Sequence, residues 1–496
     1  MSGALDPRTP VIVGAGQVTH HHKNSDFAEP AALIVAALRA AAQDTGAGET
    51  LLRRAESVRC VAVAGWPYRD AAALVAEDLG IAPRETVQTN AFGGDGPQRL
   101  INETAAAIAA GELDVALLGG GESVSSLLAA QRAGVTLAWR TQGDDVTPTR
   151  TSGTDRYPIN DAEAAVGLAA PLDMYALIES AVGAARGEDA ATHLETIAEL
   201  WSRFSQVAAG NPHAWIQRAY TAAEIATRSA ENRAVSSPYT KLLSANIQVD
   251  QAAGLIIASA EAARTAGVPR DRWVFIHAGA QAQDEWHVTE RHTLTASPAI
   301  RAVGAAALTH AGVTIDDIAH IDLYSCFPSA VQIAAAELGL SLDRRLTETG
   351  GLTFAGGPGN NYATHGVASL VAALRRDPAS LGIATALGWY ATKHAIGVYS
   401  CRPPAWPFRS LTPTPENPAP RSARTDYTGP ATVEAFTVQH DRDGAPSAAA
   451  IAALTPGEDR AMVRIETPEI LQRLLAESLI GQHADIEGPG ALSIRG

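Results

Sequence analysis

Cysteine is scarce in this chain. The 496 residues hold three, Cys60, Cys326 and Cys401. Their spacing matches no metal-ligand set and no disulfide framework. A disulfide-stapled fold is excluded, and a reducing compartment fits. Aromatic residues make up only 5%. Basic residues are outnumbered, 38 Lys and Arg against 53 Asp and Glu, for a formal net charge of −15. No Lys/Arg stripe appears, so nucleic acid is excluded as a main partner. No apolar run reaches the roughly 18 residues a membrane helix needs, so no membrane span is expected. The start, MSGALDPRTPVIVGAG, lacks a basic segment followed by an apolar one. No secretory signal is therefore expected, and the expected location is cytoplasmic. His20, His21 and His22 are adjacent in a polar stretch. Adjacent imidazoles do not easily converge on one ion, so they read as a surface loop.

What is present is alanine, glycine and aliphatic side chains. Hydrophobic residues make up 46%, ample for a large core and about two to four domains. Residues 11–13 read as a short buried strand ending in Gly14 and Gly16. An amphipathic helix over 30–43 follows, with Pro30 near its start. Strands over 58–64, 86–89 and 114–118 alternate with helices over 70–79 and 97–110, the last strand closing in GGGE at 119–122. This alternation predicts parallel pairing with helices on both faces, an α/β fold. From 123 to 240 long helical runs dominate, at 172–186 and 191–208. A strand over 253–258 returns to the first pattern. Strands over 273–278, 321–323, 381–387 and 395–400 then alternate with helices over 298–311, 328–338 and 365–376. The corners at 90–97 and 324–328 each end a strand and enter a helix with proline in its first turn. They are matched here as a weak internal duplication about a pseudo-twofold. Seven prolines between 403 and 420 mark a linker. Strands at 431–439 and 461–465 beyond it predict a small β-rich domain.

The stretch 350–366, GGLTFAGGPGNNYATHG, carries six glycines and a proline at a helix entrance. Such a run lets backbone N–H groups approach a ligand closely. Asn360, Asn361, Tyr362 and His365 supply polar groups there. The alternative reading is a tight turn with an Asn cap.

In this order the blocks resemble the thiolase superfamily, and within it the sterol-carrier-protein-type thiolases. Thiolases carry Asn-x-x-Cys-x-Ser-Gly where this chain has NAFGGDG at 90–96. The run GELDVALLGGGE at 111–122 resembles the strand that follows. Asn211-Pro212-His213-Ala214, Ser237-Pro238-Tyr239 and Val249-Asp250-Gln251-Ala252-Ala253 resemble three further blocks of that family. Tyr324-Ser325-Cys326-Phe327 lies where those thiolases have His-Asp-Cys-Phe. Gly356-Gly357-Pro358 lies where they have Gly-His-Pro. The resemblance spans about residues 8–403. It implies two duplicated βαβαβαββ halves in a five-layer αβαβα thiolase fold, with CoA or an acyl-CoA as ligand and no prosthetic group. It also implies a homodimer, with a monomer as the alternative that the extra domain allows. The domains expected are 1–122 with 241–270 and 271–403 as the two halves, 123–240 as a helical loop domain, 404–420 as linker, and 421–496 as an OB-like β-rich domain.

Thiolase chemistry uses a cysteine nucleophile at a helix start, a histidine that activates it, and a second cysteine that moves a proton. Under the resemblance these positions are Gly93, Gly357 and Ala386, and the Asn or His position is Tyr324. The standard cysteine mechanism is not expected. The pattern, with its added C-terminal domain, is most similar to thiolase-like proteins of type 1. Asp95, Tyr324, Cys326, His365 and His394 are the remaining catalytic candidates, with Trp389, Tyr390 and Lys393 beside His394. Each also has a structural reading: Asp95 as a cap, Cys326 and Tyr324 as packing, His365 as a satisfied histidine. Ser244, Asn246, Gly357, Asn360 and Asn361 are the candidate CoA contacts. Three functions are expected as alternatives. The first is a CoA- or acyl-CoA-binding protein with a degenerate site. The second is an acyltransferase of lipid metabolism with an unconventional residue set. The third is a subunit whose C-terminal domain docks a partner enzyme.

Overall fold

A computed structural model describes residues 5–22, 26–488 and 490–494. The first four residues of the segment read above for a signal lie outside the described residues. The elements that place the site are, in order, β1 (Pro10–Thr19), α1 (Pro30–Asp44), β2 (Ser57–Cys60), α2 (Ala71–Leu79), β3 (Glu85–Thr89), α3 (Gly96–Ala110), β4 (Val115–Ser123) and β5 (Arg150–Ser152). The excursion carries α4 (Pro171–Ala185), α5 (Ala190–Ala209) and β6 (Ala234–Ser236). The chain returns through β7 (Asp250–Ser259), β8 (Val274–Gln283), α6 (Pro298–Ala311), β9 (Ile318–Asp322), α7 (Pro328–Leu338), α8 (Tyr362–Arg376), β10 (Leu381–Gly388) and β11 (Lys393–Ser400). Beyond the proline-rich stretch lie β12 (Gly429–His440), β13 (Pro446–Leu454), β14 (Arg460–Ile465), α9 (Pro468–Ala476), β15 (His483–Gly488) and β16 (Ala491–Ile494).

One long sheet runs β9-β10-β11-β8-β1-β7-β4-β2-β3-β5. Its halves join where Val11 and Ile12 of β1 face Phe275 and Val274 of β8. Outward from that junction the two sides repeat the same senses. β1–β7 and β7–β4 are antiparallel and β4–β2 is parallel. β8–β11 and β11–β10 are antiparallel and β10–β9 is parallel. The sheet is therefore mixed, not all parallel as the alternation predicts. The reason is β7 and β11: β7 inserts between β1 and β4, and β11 between β8 and β10, each antiparallel to both neighbours. The order also corrects the matching of corners. α3 leads into β4 as α8 leads into β10, so the counterpart of the 90–97 corner is the glycine-rich stretch. The corner at 324–328, which follows β9, corresponds to the turn after β2.

Two glycine runs expected to close strands lie inside them instead. A β-carbon on Gly14 or Gly16 would collide with the Ala41 or Ala37 carbonyl of α1. One on Gly120 would collide with Asn361. Glycine here permits close packing of backbone and side chains while the strand continues. Helices α3 and α8 lie together at the centre. Asn102 of α3 donates to the Ala280 and Ile396 carbonyls of the second half. Gln17 of β1 meets Ser369 of α8. The outer cores lie under α1 and α2 on one side and under α6 and α7 on the other.

The C-terminal strands form their own sheet and core. β13, PSAAAIAAL, is a strand although its alanines favour helix. Pairing on both sides, with β12 and β14, overrides that preference. β6 of the excursion joins the same sheet through Ser236 and Gln439. Among the described residues no helix is long and apolar enough to cross a membrane.

The excursion docks through a buried ionic cluster. Glu179 of α4 is fully buried. It accepts from His193 Nε2 of α5 at 2.7 Å, Tyr239 Oη at 2.5 Å and Gln332 Nε2 of α7 at 2.6 Å. His193 Nδ1 lies 2.7 Å from Glu188. Both ring nitrogens face carboxylates, so both carry protons. Burial opposes that charge, but Glu179 and Glu188 outweigh it and raise the His193 pKa. A raised folded pKa means the cluster stabilises fully below the unfolded value of about 6.5 and loses this contribution as pH rises through the folded one. Urea unfolding at increasing pH should show that decline. His193→Ala at pH 6 should cost about 3–5 kcal/mol, because Glu179 is left buried without a counter-charge.

Candidate functional site

The corner after β3 is built by polar anchors and glycines. Asn90 N–H bonds the Ser152 carbonyl at 2.8 Å, and Asn90 Nδ2 bonds the Phe92 carbonyl at 2.5 Å. Gly93 takes a left-handed φ of 149°. Asp95 begins α3 but does not cap it. Its carboxylate instead bonds Arg99, one turn along the helix, and lies 3.1 Å from Lys393 Nζ of β11. Arg99 also reaches Asn90 and Ser152. Lys393 Nζ donates to the Phe92 carbonyl at 3.2 Å. All three charged groups are buried. Burial lowers the Lys393 pKa, and Asp95 opposes that shift.

This cluster fills the corner. A β-carbon at Gly93 would meet the Asp95 carboxylate and the Lys393 ammonium. One at Gly94 would meet Tyr324 Oη and the Leu387 carbonyl. The glycine-rich stretch closes the other side. Gly351–Phe354 forms a short helix, and α8 begins at Tyr362, earlier than the helix expected from 365. Asn360 Oδ1 accepts from Gly93 N–H at 2.9 Å, while its Nδ2 donates to Ala62 and Ala91 carbonyls at 3.0 and 2.9 Å. Asn361 Nδ2 donates to the Gly120 carbonyl at 2.6 Å. Both side chains thus staple the two halves together. Gly357 N–H bonds the Asn246 carbonyl at 2.9 Å, and Asn246 N–H bonds the Leu352 carbonyl at 3.0 Å. The Ser244 hydroxyl bonds the Thr240 carbonyl at 3.0 Å. The loop through 244–248 therefore lies along the glycine-rich stretch, with Ile247 58% exposed beside it.

The five catalytic candidates do not gather at one point. Asp95 and Tyr324 lie at the Gly93–Gly94 corner. The Tyr324 ring packs edge-on against Tyr362 at 5.3 Å, and burial raises its pKa. Tyr324 and His394 line a cavity of about 20 Å³ between β10, β11, α6 and α7. His394 is tied there to Asp284 at 3.2 Å and the Ala391 carbonyl at 3.1 Å. Cys326 is buried in the C-terminal half's core, and that burial pushes its thiol up to about 12. His365 bonds Gln17 of β1 at 2.8 Å and is held down to about 3 by burial. Sequence reasoning missed Arg99 and Glu122. Arg99 was legible as the i+4 partner of Asp95. Glu122 accepts from Ala64 and Gly65 N–H groups at 2.6 and 3.0 Å, and burial pushes it up to about 7. Its neighbours come from another strand end, which no spacing reveals.

The cluster predicts an asymmetry. Asp95→Asn leaves Lys393 and Arg99 buried with no carboxylate between them and should cost about 3–5 kcal/mol in urea unfolding. Lys393→Met leaves the Asp95–Arg99 pair whole and should cost clearly less.

Residues 413–490 match the family described as "Thiolase-like protein type 1 additional C-terminal domain". No curated protein matches the chain. Among solved structures, the chain is similar to a monomeric SCP2-thiolase like protein type 1 from Mycobacterium smegmatis, at 30% identity and TM-score 0.81, covering 99% of both chains. The Ltp2-ChsH2(DUF35) aldolase matches at 21% identity and TM-score 0.59, over 80% of this chain and 99% of that one. Human mitochondrial 3-ketoacyl-CoA thiolase matches at 16% identity and TM-score 0.55, over 79% of this chain and 99% of that one. The last two establish the fold alone. The first, end to end and with the added domain, makes this chain a member of the SCP2-thiolase-like proteins of type 1.

Proposed function

We propose that this protein binds CoA or an acyl-CoA in a thiolase-type site that performs no cysteine-based acyl transfer. One observation carries the reading: Gly93 has no side chain, and the space a nucleophile would need is bounded by Lys393 and Asp95. Gly357 and Ala386, at the other two positions, have no proton to move. Cys326 stays protonated, and His365 faces Gln17. The Gly93 N–H, a natural oxyanion donor, is already taken by Asn360. The family and fold support CoA on the 244–248 loop, where Ile247 is exposed beside the buried glycine-rich stretch. A second reading draws on the buried ammonium of Lys393. In it the site is an unconventional acyltransferase, and Lys393 stabilises an oxyanion.

Calorimetry should show binding of CoA and acetyl-CoA, and the intact mass should be unchanged after incubation with acetyl-CoA. Acetoacetyl-CoA should not be thiolysed, and Gly93→Cys alone should not restore acylation. Turnover or an acyl adduct on the native chain would move the assignment to the second reading. The chain should also run as a monomer by light scattering, because β5 covers the outer edge of β3. A stable dimer would overturn that assignment.

A further inference from the structure

The C-terminal region is tied to the Gly93 corner by a chain of buried contacts. It begins at Arg460, the first residue of β14, which is fully buried. Arg460 Nε and Nη2 hold Glu434 of β12 at 2.6 and 2.8 Å, a bidentate pair. Arg460 Nη1 donates to the carbonyls of Thr289 and Arg291 at 2.6 and 2.7 Å. Arg421 takes the alternate carbonyls. Its backbone N–H bonds Glu290 at 2.8 Å, and its Nε bonds His292 at 2.8 Å. Four successive carbonyls of the loop after β8 thus accept from two arginines of the C-terminal region.

The side chain of Arg291 leads onward. It is buried, and its Nη2 donates to the Tyr390 carbonyl at 2.9 Å and to Thr392 Oγ1 at 3.0 Å. Tyr390 and Thr392 belong to the turn between β10 and β11. In that turn Trp389 and Ala391 adopt left-handed φ angles of 58° and 53°. Neither is glycine, so the conformation persists only where the surroundings impose it. A second hold comes from α4. Tyr175 Oη donates to the Trp389 carbonyl at 3.0 Å and accepts from Ala391 N–H at 2.8 Å. Helix α4 itself is gripped by the C-terminal sheet, where Phe436 N–H bonds Ser180 Oγ at 3.0 Å. The turn ends in Lys393, which meets Asp95 and the Phe92 carbonyl. The Trp389 ring packs against half-exposed Phe92 at 5.4 Å.

We propose that the additional C-terminal domain is a positioning element of the site. Arg460 and Arg421 hold the 289–292 loop, and Arg291 in turn holds the strained turn that sets Trp389 against Phe92 and Lys393 beside Gly93 and Asp95. Arg460, Arg421 and Arg291 are positioning residues, acting through that turn. What the site binds rests on the reading above; the relay does not, and it is tested without ligand.

The test uses the full chain with Arg460→Met and, separately, Arg291→Met. Backbone hydrogen exchange over 388–393 and amine labelling of Lys393 are read by peptide mass spectrometry. Both should rise about tenfold, the loss of one or two net hydrogen bonds, while β1 and β7 stay protected. Unchanged exchange and labelling at 388–393 in Arg460→Met, with loosening confined to 421–465, overturns the proposal. If Arg460→Met loosens the whole chain, Arg291→Met decides, and unchanged exchange at 388–393 there overturns it equally. CoA calorimetry on the same proteins separates the two claims. A native chain that binds no CoA removes the ligand assignment and leaves the relay to exchange and labelling.

Discussion

The constraint on which the rest depends is the close approach of the starts of α3 and α8 between two half-sheets. That approach brings Gly93 within hydrogen-bond reach of Asn360 and Gly120 within reach of Asn361. A β-carbon at Gly93 would meet the ends of the Asp95 and Lys393 side chains, and one at Gly120 would meet the Asn361 amide. Glycine at these points leaves room for the polar groups nearby, and Asn360 and Asn361 join the halves.

That same closeness decides which charges meet. A carboxylate and two cations share the buried corner where the family resemblance puts a thiol. Burial makes the ionic cluster costly to break from one side. Its charges are committed to each other and to the backbone carbonyl of Phe92. The space around Gly93 is bounded by these paired charges, the Asp95 carboxylate and the Lys393 ammonium.

The added C-terminal domain belongs to the same design. Its core is its own, but its arginines spend their donors on the thiolase-type half. Helix α4 is clamped between this domain and α7, through Ser180 on one side and the Glu179–Gln332 contact on the other. Two routes thus converge on one strained turn, which explains how Trp389 and Ala391 keep left-handed backbone angles.

Much was legible without coordinates. The positions of Pro298 and Pro328 marked α6 and α7 to the residue, because proline favours the first turn and glycine the end. The order of blocks that marks the family could be read from the chain, since each block is local. Strand ends at Gly14 and Gly119 were misplaced because glycine signals both a turn and a close neighbour, and only the neighbour's position separates the two. The scatter of His365, His394 and Cys326 was equally hidden: sequence lists residue types, while helix phase and strand face decide where they point. The capture of Lys393 by Asp95, the stapling by Asn360, and the path from Arg460 to Trp389 join residues tens to hundreds of positions apart. The amino-acid sequence by itself determined the fold family. Only the tertiary structure decided which charges meet, because burial and distance, not composition, set the strength of an ionic contact.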